Sequence, residues 1–182
     1  MVTRGDDPPS AARTSQRIGL SARHAILALL VAPDRKKDNG QWAWAAPIEG
    51  KTRLVKGLFL TMKETRSGEA GLFDFEFTPG PYGPSSLEVT DSLDTMIRTG
   101  TIFSEPFGSG RGMRLRLSPA GGKEALSVWS NLPQAARDDL YRTKSRIAQL
   151  SYRQFLVYVY RTYPEYTENS LIREEVLDEY AD

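Results

Sequence analysis

The chain of 182 residues contains no cysteine and a single histidine, His24. Without cysteine there are no disulfides, thiolate metal sites or cysteine nucleophiles. One histidine excludes a histidine-pair metal site and leaves no spare imidazole to activate a nucleophile. We therefore expect no enzymatic activity, no metal and no cofactor, and the composition is compatible with a reducing, cytoplasmic compartment.

The sequence also lacks a long apolar run and a strong net charge. Its longest apolar stretch, AILALLVA at 25–32, is far shorter than the roughly 20 residues of a membrane-spanning helix, so we expect no membrane insertion. The 24 Lys and Arg nearly balance the 23 Asp and Glu, which gives no general argument for a polyanionic partner. The polar start predicts a disordered basic arm at 1–17, and the carboxylate-rich end predicts a frayed acidic tail at 173–182.

A helix is predicted over 51–64, where apolar residues repeat on one face. We place four cations on its opposite, outer face: Lys51, Arg53, Lys56 and Lys63. GKT at 50–52 matches the end of a phosphate-binding loop, but Ala45 stands at the position of the first glycine of that loop. Since no strand is predicted directly before it either, we assign no nucleotide site.

A strand is predicted for LFDFEFTPG at 72–80, followed by a third helix over about 86–99. Ser85 and Glu88 fit a capping box, and Gly100 stands where a left-handed residue would end the helix. Away from its buried stripe, this helix carries three carboxylates against one arginine: Glu88, Asp91 and Asp94 against Arg98.

Two short strands, TIFSE at 101–105 and MRLRLS at 113–118, predict a hairpin around the flexible GSGRG. Because side chains alternate along a strand, Arg114 and Arg116 must point away from the apolar side. Amphipathic helices follow, so we place one domain at 18–120 and a helical extension at 121–172.

The stretches LDTMIRTGTI at 93–102 and RGMRLRLSPAGGKEAL at 111–126 resemble the third helix and wing of PadR-like and MarR-like regulators. This resemblance implies a winged helix-turn-helix domain with a C-terminal helical extension, a mainly α fold with a small β-sheet (α+β). In such domains the first strand lies between helices one and two, whereas the strand predicted here precedes helix three.

A closer resemblance is to YwgA-like proteins and to SocA-like (Panacea) antitoxin domains. It rests on GKTRLVKGLFL at 50–60, FTPGPYGPSS at 77–86 and YVYRTYPEYTENS at 158–170. It implies a protein that acts by protein contact.

The first functional hypothesis is a winged-helix DNA-associated protein, a transcriptional regulator that binds double-stranded DNA mainly through backbone phosphates. We expect phosphate contacts from six cations: Lys51, Arg53, Lys56, Arg111, Arg114 and Arg116. Ser85 and Ser86 are expected nearest the groove. The acidic third helix is a poor reader of bases, so sequence preference should be weak.

The second hypothesis is a protein-binding antitoxin or proteolytic adaptor that uses the same domain to grip a partner such as a toxin. Tyrosine offers a large contact area with a polar tip, and an acidic helix suits a partner interface. The expected partner-binding residues are Tyr82, Glu88, Asp91, Tyr158 and Tyr160. The C-terminal helices could instead form a homodimer, as in PadR-like and MarR-like regulators.

Overall fold

The computed structural model describes residues 19–35, 39–41, 43–108 and 112–178. The predicted arm at 1–17 and the last four residues of the predicted tail lie outside this part of the chain. Within it, none of the helices combines the length and apolar character that crossing a membrane requires.

The described residues combine mostly helices with a few short antiparallel strands, which confirms the predicted α+β class. In chain order the elements are α1 (Ala22–Val31), β1 (Ile48–Glu49), α2 (Lys51–Glu64), α3 (Arg66–Glu69), β2 (Thr78–Gly80), β3 (Gly83–Ser85), α4 (Leu87–Arg98), β4 (Ile102–Phe107), β5 (Gly112–Leu117), α5 (Pro119–Ser130), α6 (Gln134–Gln149), α7 (Tyr152–Thr162), a 3-10 turn (Pro164–Tyr166) and α8 (Arg173–Asp178).

A three-stranded sheet in the order β1-β5-β4 contains the predicted hairpin. β4 and β5 pair antiparallel, with Ile102 opposite Leu117, and β1 pairs with the other edge of β5, with Ile48 opposite Leu115. β1 lies between α1 and α2 and ends directly before Gly50, so the expectation that no strand precedes GKT is wrong. A strand of two residues is too short to produce an alternating pattern.

The segment predicted as a strand at 72–80 forms regular strand only at its end. Phe73, Phe75 and Phe77 are all buried, as the alternation predicts. Before β2, however, its ladder pairing is limited to one bridge between Leu20 and Phe73. Ring packing holds the segment instead: the centroids of Phe73 and Phe75 are 5.1 Å apart, and those of Phe77 and Phe59 are 5.4 Å apart.

α4 begins one residue later than the predicted capping box implies. Ser86, not Ser85, is the N-cap, and its hydroxyl oxygen accepts from the Val89 N–H. The same hydroxyl donates to Glu88 at 3.1 Å. At the other end, Gly100 has the predicted left-handed backbone, with φ of 73°.

One hydrophobic cluster extends from α1 to α8, so the helices after residue 120 pack on the same core as those before it. Val176 of α8 is buried in this cluster, and residues 173–178 therefore form a packed helix rather than a frayed tail. The fully buried large side chains include at least one from each of five elements: Ile26, Phe59, Leu93, Ile102 and Phe155.

Candidate interaction surface

Arg53 does not lie on the outer face of α2, contrary to the prediction. It is 8% exposed, and Nη1 donates to the carbonyl oxygens of Ile147 at 2.7 Å and Leu150 at 2.9 Å. The last carbonyls of a helix have no partner within the helix, so this guanidinium caps the end of α6. Burial lowers the pKa of Arg53. These contacts leave Arg53 poorly placed to reach a phosphate.

Lys56 is also buried, at 3% exposure. Its Nζ donates to the Tyr82 carbonyl oxygen at 2.6 Å, and burial lowers the pKa of Lys56 to about 8. Both corrections have one physical cause: α2 contacts α6, α7 and β3 in addition to α1. A long cationic side chain can pack its stem in such a position if its tip finds a carbonyl oxygen.

Lys51 remains on the surface but forms an ion pair with Asp94 of α4, and both side chains are about half exposed. The predicted phosphate-binding cation is therefore paired with a carboxylate of the predicted acidic helix. Arg111 lies outside the described residues.

The two arginines of β5 are partly exposed and each contacts a carboxylate. Arg116 lies 2.5 Å from Glu105, which lowers the pKa of that carboxyl, and Arg114 lies 3.5 Å from Glu49. Each guanidinium also lies over an aromatic ring, Phe103 for Arg116 and Phe107 for Arg114. The hairpin thus presents arginines that are already paired within the protein.

Of the two predicted groove-facing serines, Ser86 holds the start of α4 and Ser85 bonds within the β2–β3 hairpin. Ser86 is 2% exposed because its side chain is the helix cap, so it is not available to a groove. Ser85 is half-buried, and its hydroxyl donates to the Thr78 carbonyl oxygen at 3.5 Å.

Tyr160 is part of the core, contrary to the prediction that it binds a partner, whereas Tyr158 is only half-buried and its partner role stays a prediction. Tyr160 is 1% exposed, and its hydroxyl lies 2.8 Å from the Ser170 hydroxyl. Tyr158 is half-buried and donates to Glu64 at 2.5 Å, while the Arg146 guanidinium lies 3.9 Å from its ring centroid.

The exposed side of α4 brings the two predicted carboxylates together with a third and with an apolar residue. We call Leu87, Glu88, Asp91 and Asp94 the acidic face; all four are exposed. Leu87, Asp91 and Asp94 follow each other at i, i+4 and i+7, so they line one side of the helix. Leu87 is 73% exposed. Sequence reasoning missed it, although its position outside the buried stripe was a usable signal.

Tyr82 is 56% exposed at the tip of the β2–β3 turn, where the partner prediction requires it to be. Leu171, 77% exposed, is tied to the same turn because its N–H donates to the Pro81 carbonyl oxygen at 2.9 Å. Nothing in the local sequence around Leu171 indicates this contact, since the two segments are far apart in the chain.

Among the described residues, no three His, Asp or Glu side chains come together in a way that could hold a metal ion. Comparison of the sequence with protein-family models and with curated proteins gives no match. Any functional proposal therefore rests on the surfaces and cavities described for this chain.

Proposed function

We propose that this chain is a non-enzymatic winged-helix protein whose acidic face binds a basic segment of a protein partner, in the manner of an antitoxin or adaptor. One observation carries the proposal. Three exposed carboxylates and an exposed leucine share one side of α4, while the other side of the helix is anchored in the core.

The order of the elements supports the winged-helix part of the proposal. A strand between the first two long helices pairs with the hairpin that follows α4. In a winged-helix domain this order would make α4 the recognition helix. α3 and the β2–β3 hairpin are then insertions between the second and third helices of such a domain. The β4–β5 hairpin takes the place of the wing.

The charge distribution favours a basic protein segment over duplex DNA. Duplex DNA carries one negative charge per roughly 1.7 Å of its axis, so a groove would bring phosphates close to Glu88, Asp91 and Asp94. Lys51 offsets this repulsion at Asp94, but Arg53 and Lys56 do not offset it at Glu88 or Asp91, because both are buried and engaged with carbonyl oxygens.

The chemistry of the acidic face also defines the partner. Glu88 and Asp91 can form ion pairs with lysine or arginine side chains, and Leu87 offers an apolar contact beside them. The partner segment should therefore carry at least two cations next to an aliphatic residue. Since these charges are exposed, the attraction should speed association and weaken as salt rises.

The test compares wild-type protein with the charge-reversal variant Glu88→Lys/Asp91→Lys. A matched control, Glu165→Lys/Glu168→Lys, makes the same charge change at exposed positions outside α4. We expect wild type and control to retain a stoichiometric protein partner from a host lysate. We expect the α4 variant to bind that partner at least about tenfold more weakly, a difference of about 1.4 kcal/mol in binding free energy. Circular dichroism checks that all three proteins are folded.

Equal partner recovery from all three proteins would overturn the proposal. So would self-association in sedimentation experiments that Glu88→Lys/Asp91→Lys abolishes, because the occupant of the face would then be a second copy of this chain. For any partner identified, affinity should fall when salt is raised.

The hairpin supports a second candidate function, DNA binding through backbone phosphates. Arg114 and Arg116 lie on the same side of β5 and remain partly exposed, so a phosphate could replace their carboxylate partners. Titration with mixed-sequence duplex at two salt concentrations tests this. Tight, salt-sensitive binding that Arg114→Ala/Arg116→Ala weakens similarly for unrelated sequences would favour DNA over a protein partner.

A further inference from the structure

A cavity of about 660 Å³ lies between the end of α6, the strand β1 and the residues that follow α1. Its walls include Asp34 and Arg35 after α1, Glu49 of β1, Arg114 of β5 and the last turn of α6. The DNA hypothesis uses two of its lining residues, Arg53 and Arg114, but neither hypothesis assigns a ligand to the cavity itself. Its lining combines exposed ionisable side chains, Arg35 and Glu49, with the buried side chains of Asp34 and Lys144.

Asp34 is the feature of this cavity that most needs an explanation. It is 7% exposed, and its backbone is fixed by bonds to the Ala43 carbonyl oxygen and from the Ser145 hydroxyl. Its Oδ1 is buried, and no residue in the described part of the chain donates a hydrogen bond to it. A buried, unpaired polar atom costs roughly 1–3 kcal/mol, and proteins usually retain such an atom for a reason.

The remaining ionisable side chains of the cavity are mostly cationic. They are Glu49, Arg35, Arg53, Arg114 and Lys144. Arg53 caps α6, and Lys144 donates to two carbonyl oxygens at the end of α1, at 2.5 and 2.8 Å. Arg35 is exposed and Arg114 is partly exposed, although Arg114 also contacts Glu49.

We propose that this cavity binds a small amino-acid-like zwitterion. The ligand's ammonium group pairs with the Asp34 carboxylate, whose Oδ1 has no donor among the described residues, and its carboxylate meets Arg114 and Arg35. The Lys144 ammonium attracts Asp34 but donates to carbonyl oxygens instead, so a plain anion would leave Asp34 Oδ1 without a donor. A plain amine would be repelled by the arginines, so both groups are needed on one ligand. The inference does not depend on the proposed partner-binding role of α4.

Occupancy should stabilise the folded chain, because a ligand that binds only the folded state raises its stability by mass action. The ligand would contact the loop after α1 and the hairpin strand β5 at the same time. Thermal unfolding is therefore a direct readout of binding, and calorimetric titration gives the affinity.

The test uses four ω-amino acids of increasing length as probes: glycine, β-alanine, 4-aminobutyrate and 6-aminohexanoate. Butyrate and butylamine each carry only one of the two groups and serve as controls. We expect at least one ω-amino acid to raise the melting temperature and to bind at least about tenfold more tightly than either control compound. The best chain length reports the separation between Asp34 and the arginines.

Three variants assign the binding to named residues. Asp34→Asn should lower the affinity for the best probe by at least about tenfold, while Asp138→Asn, an exposed change on α6 outside the cavity, should not alter it. Because Asp34→Asn could also affect folding, Arg114→Gln provides a second check and should weaken the amino acid but not butylamine. The proposal is overturned if no amino acid binds better than butyrate and butylamine, or if both cavity variants bind as wild type does.

Discussion

The Lys56 ammonium on α2 donates a hydrogen bond to the Tyr82 carbonyl oxygen 2.6 Å away. Lys56 is buried, whereas Tyr82 is among the most exposed aromatic residues of the described chain. One bond thus ties an exposed turn to the buried side of a helix. The turn that presents Tyr82 is held from below by a side chain that the sequence pattern places on the outside.

Replacing that ammonium should loosen the turn. Lys56→Met keeps the aliphatic stem but leaves the Tyr82 carbonyl oxygen without its donor, a loss of about 1.5–3 kcal/mol for a bond to a charged group. We expect amide hydrogen exchange across 78–85 to become at least about tenfold faster. Lys123→Met, an exposed change on α5, should leave that exchange unchanged. Unchanged exchange in Lys56→Met would mean that the bond does not restrain the turn.

Arg53 should stabilise the whole chain rather than one turn. Arg53→Met removes the donors to the Ile147 and Leu150 carbonyl oxygens, so we expect the free energy of unfolding to fall by about 1–3 kcal/mol. Urea unfolding followed by circular dichroism measures the change. Arg98→Met alters an exposed arginine and should stay within about 0.5 kcal/mol of wild type. Similar values for the two variants would contradict the capping role.

The buried lysines should make stability depend on pH. Burial lowers the pKa of Lys144 to about 7 and of Lys56 to about 8, from the ordinary value of 10.5. Above these values the unfolded chain binds more protons than the folded chain, so the free energy of unfolding rises with pH. Each lysine contributes up to about 1.4 kcal/mol per pH unit.

Lys144→Met should remove its share of that slope. Between about pH 8 and pH 9.5 we expect the rise in unfolding free energy to be smaller than in wild type by up to about 1.4 kcal/mol per pH unit. The comparison uses urea unfolding at several pH values, so a uniform loss of stability does not affect it. A slope equal to that of wild type would show that Lys144 is charged in the folded protein throughout this range.

Elements with one buried side were predictable from the sequence. The stripe of α4, the alternation in β5 and the left-handed Gly100 follow from local periodicity and backbone sterics, and the structure has all three. β1 was not predictable, because a two-residue strand has no period and exists only by pairing with β5. The start of α4 was missed by one residue because Ser85 and Ser86 are both good caps.

The residues of the candidate sites also fall into two groups, those whose exposure was predictable from the sequence and those whose contacts were not. Glu88 and Asp91 could be predicted as exposed because they lie opposite a buried stripe. Arg53 and Lys56 were misplaced, since their partners are backbone carbonyl oxygens on segments distant in sequence. The cavity around Asp34 could not be foreseen for the same reason: its walls come from parts of the chain that only the tertiary fold brings together.

Gly83 and Gly100 allow backbone strain to be separated from side-chain contact. Both have left-handed backbones, with φ of 85° and 73°, so alanine should cost each about 1–2 kcal/mol. A Cβ at Gly83 would also lie 3.1 Å from the Tyr160 ring, whereas a Cβ at Gly100 would meet nothing within 4 Å. Gly83→Ala should therefore lower the free energy of unfolding by at least about 1 kcal/mol more than Gly100→Ala does. Equal losses would mean that the Tyr160 ring moves aside at no cost, and the turn would then be less firmly packed on α7 than the structure implies.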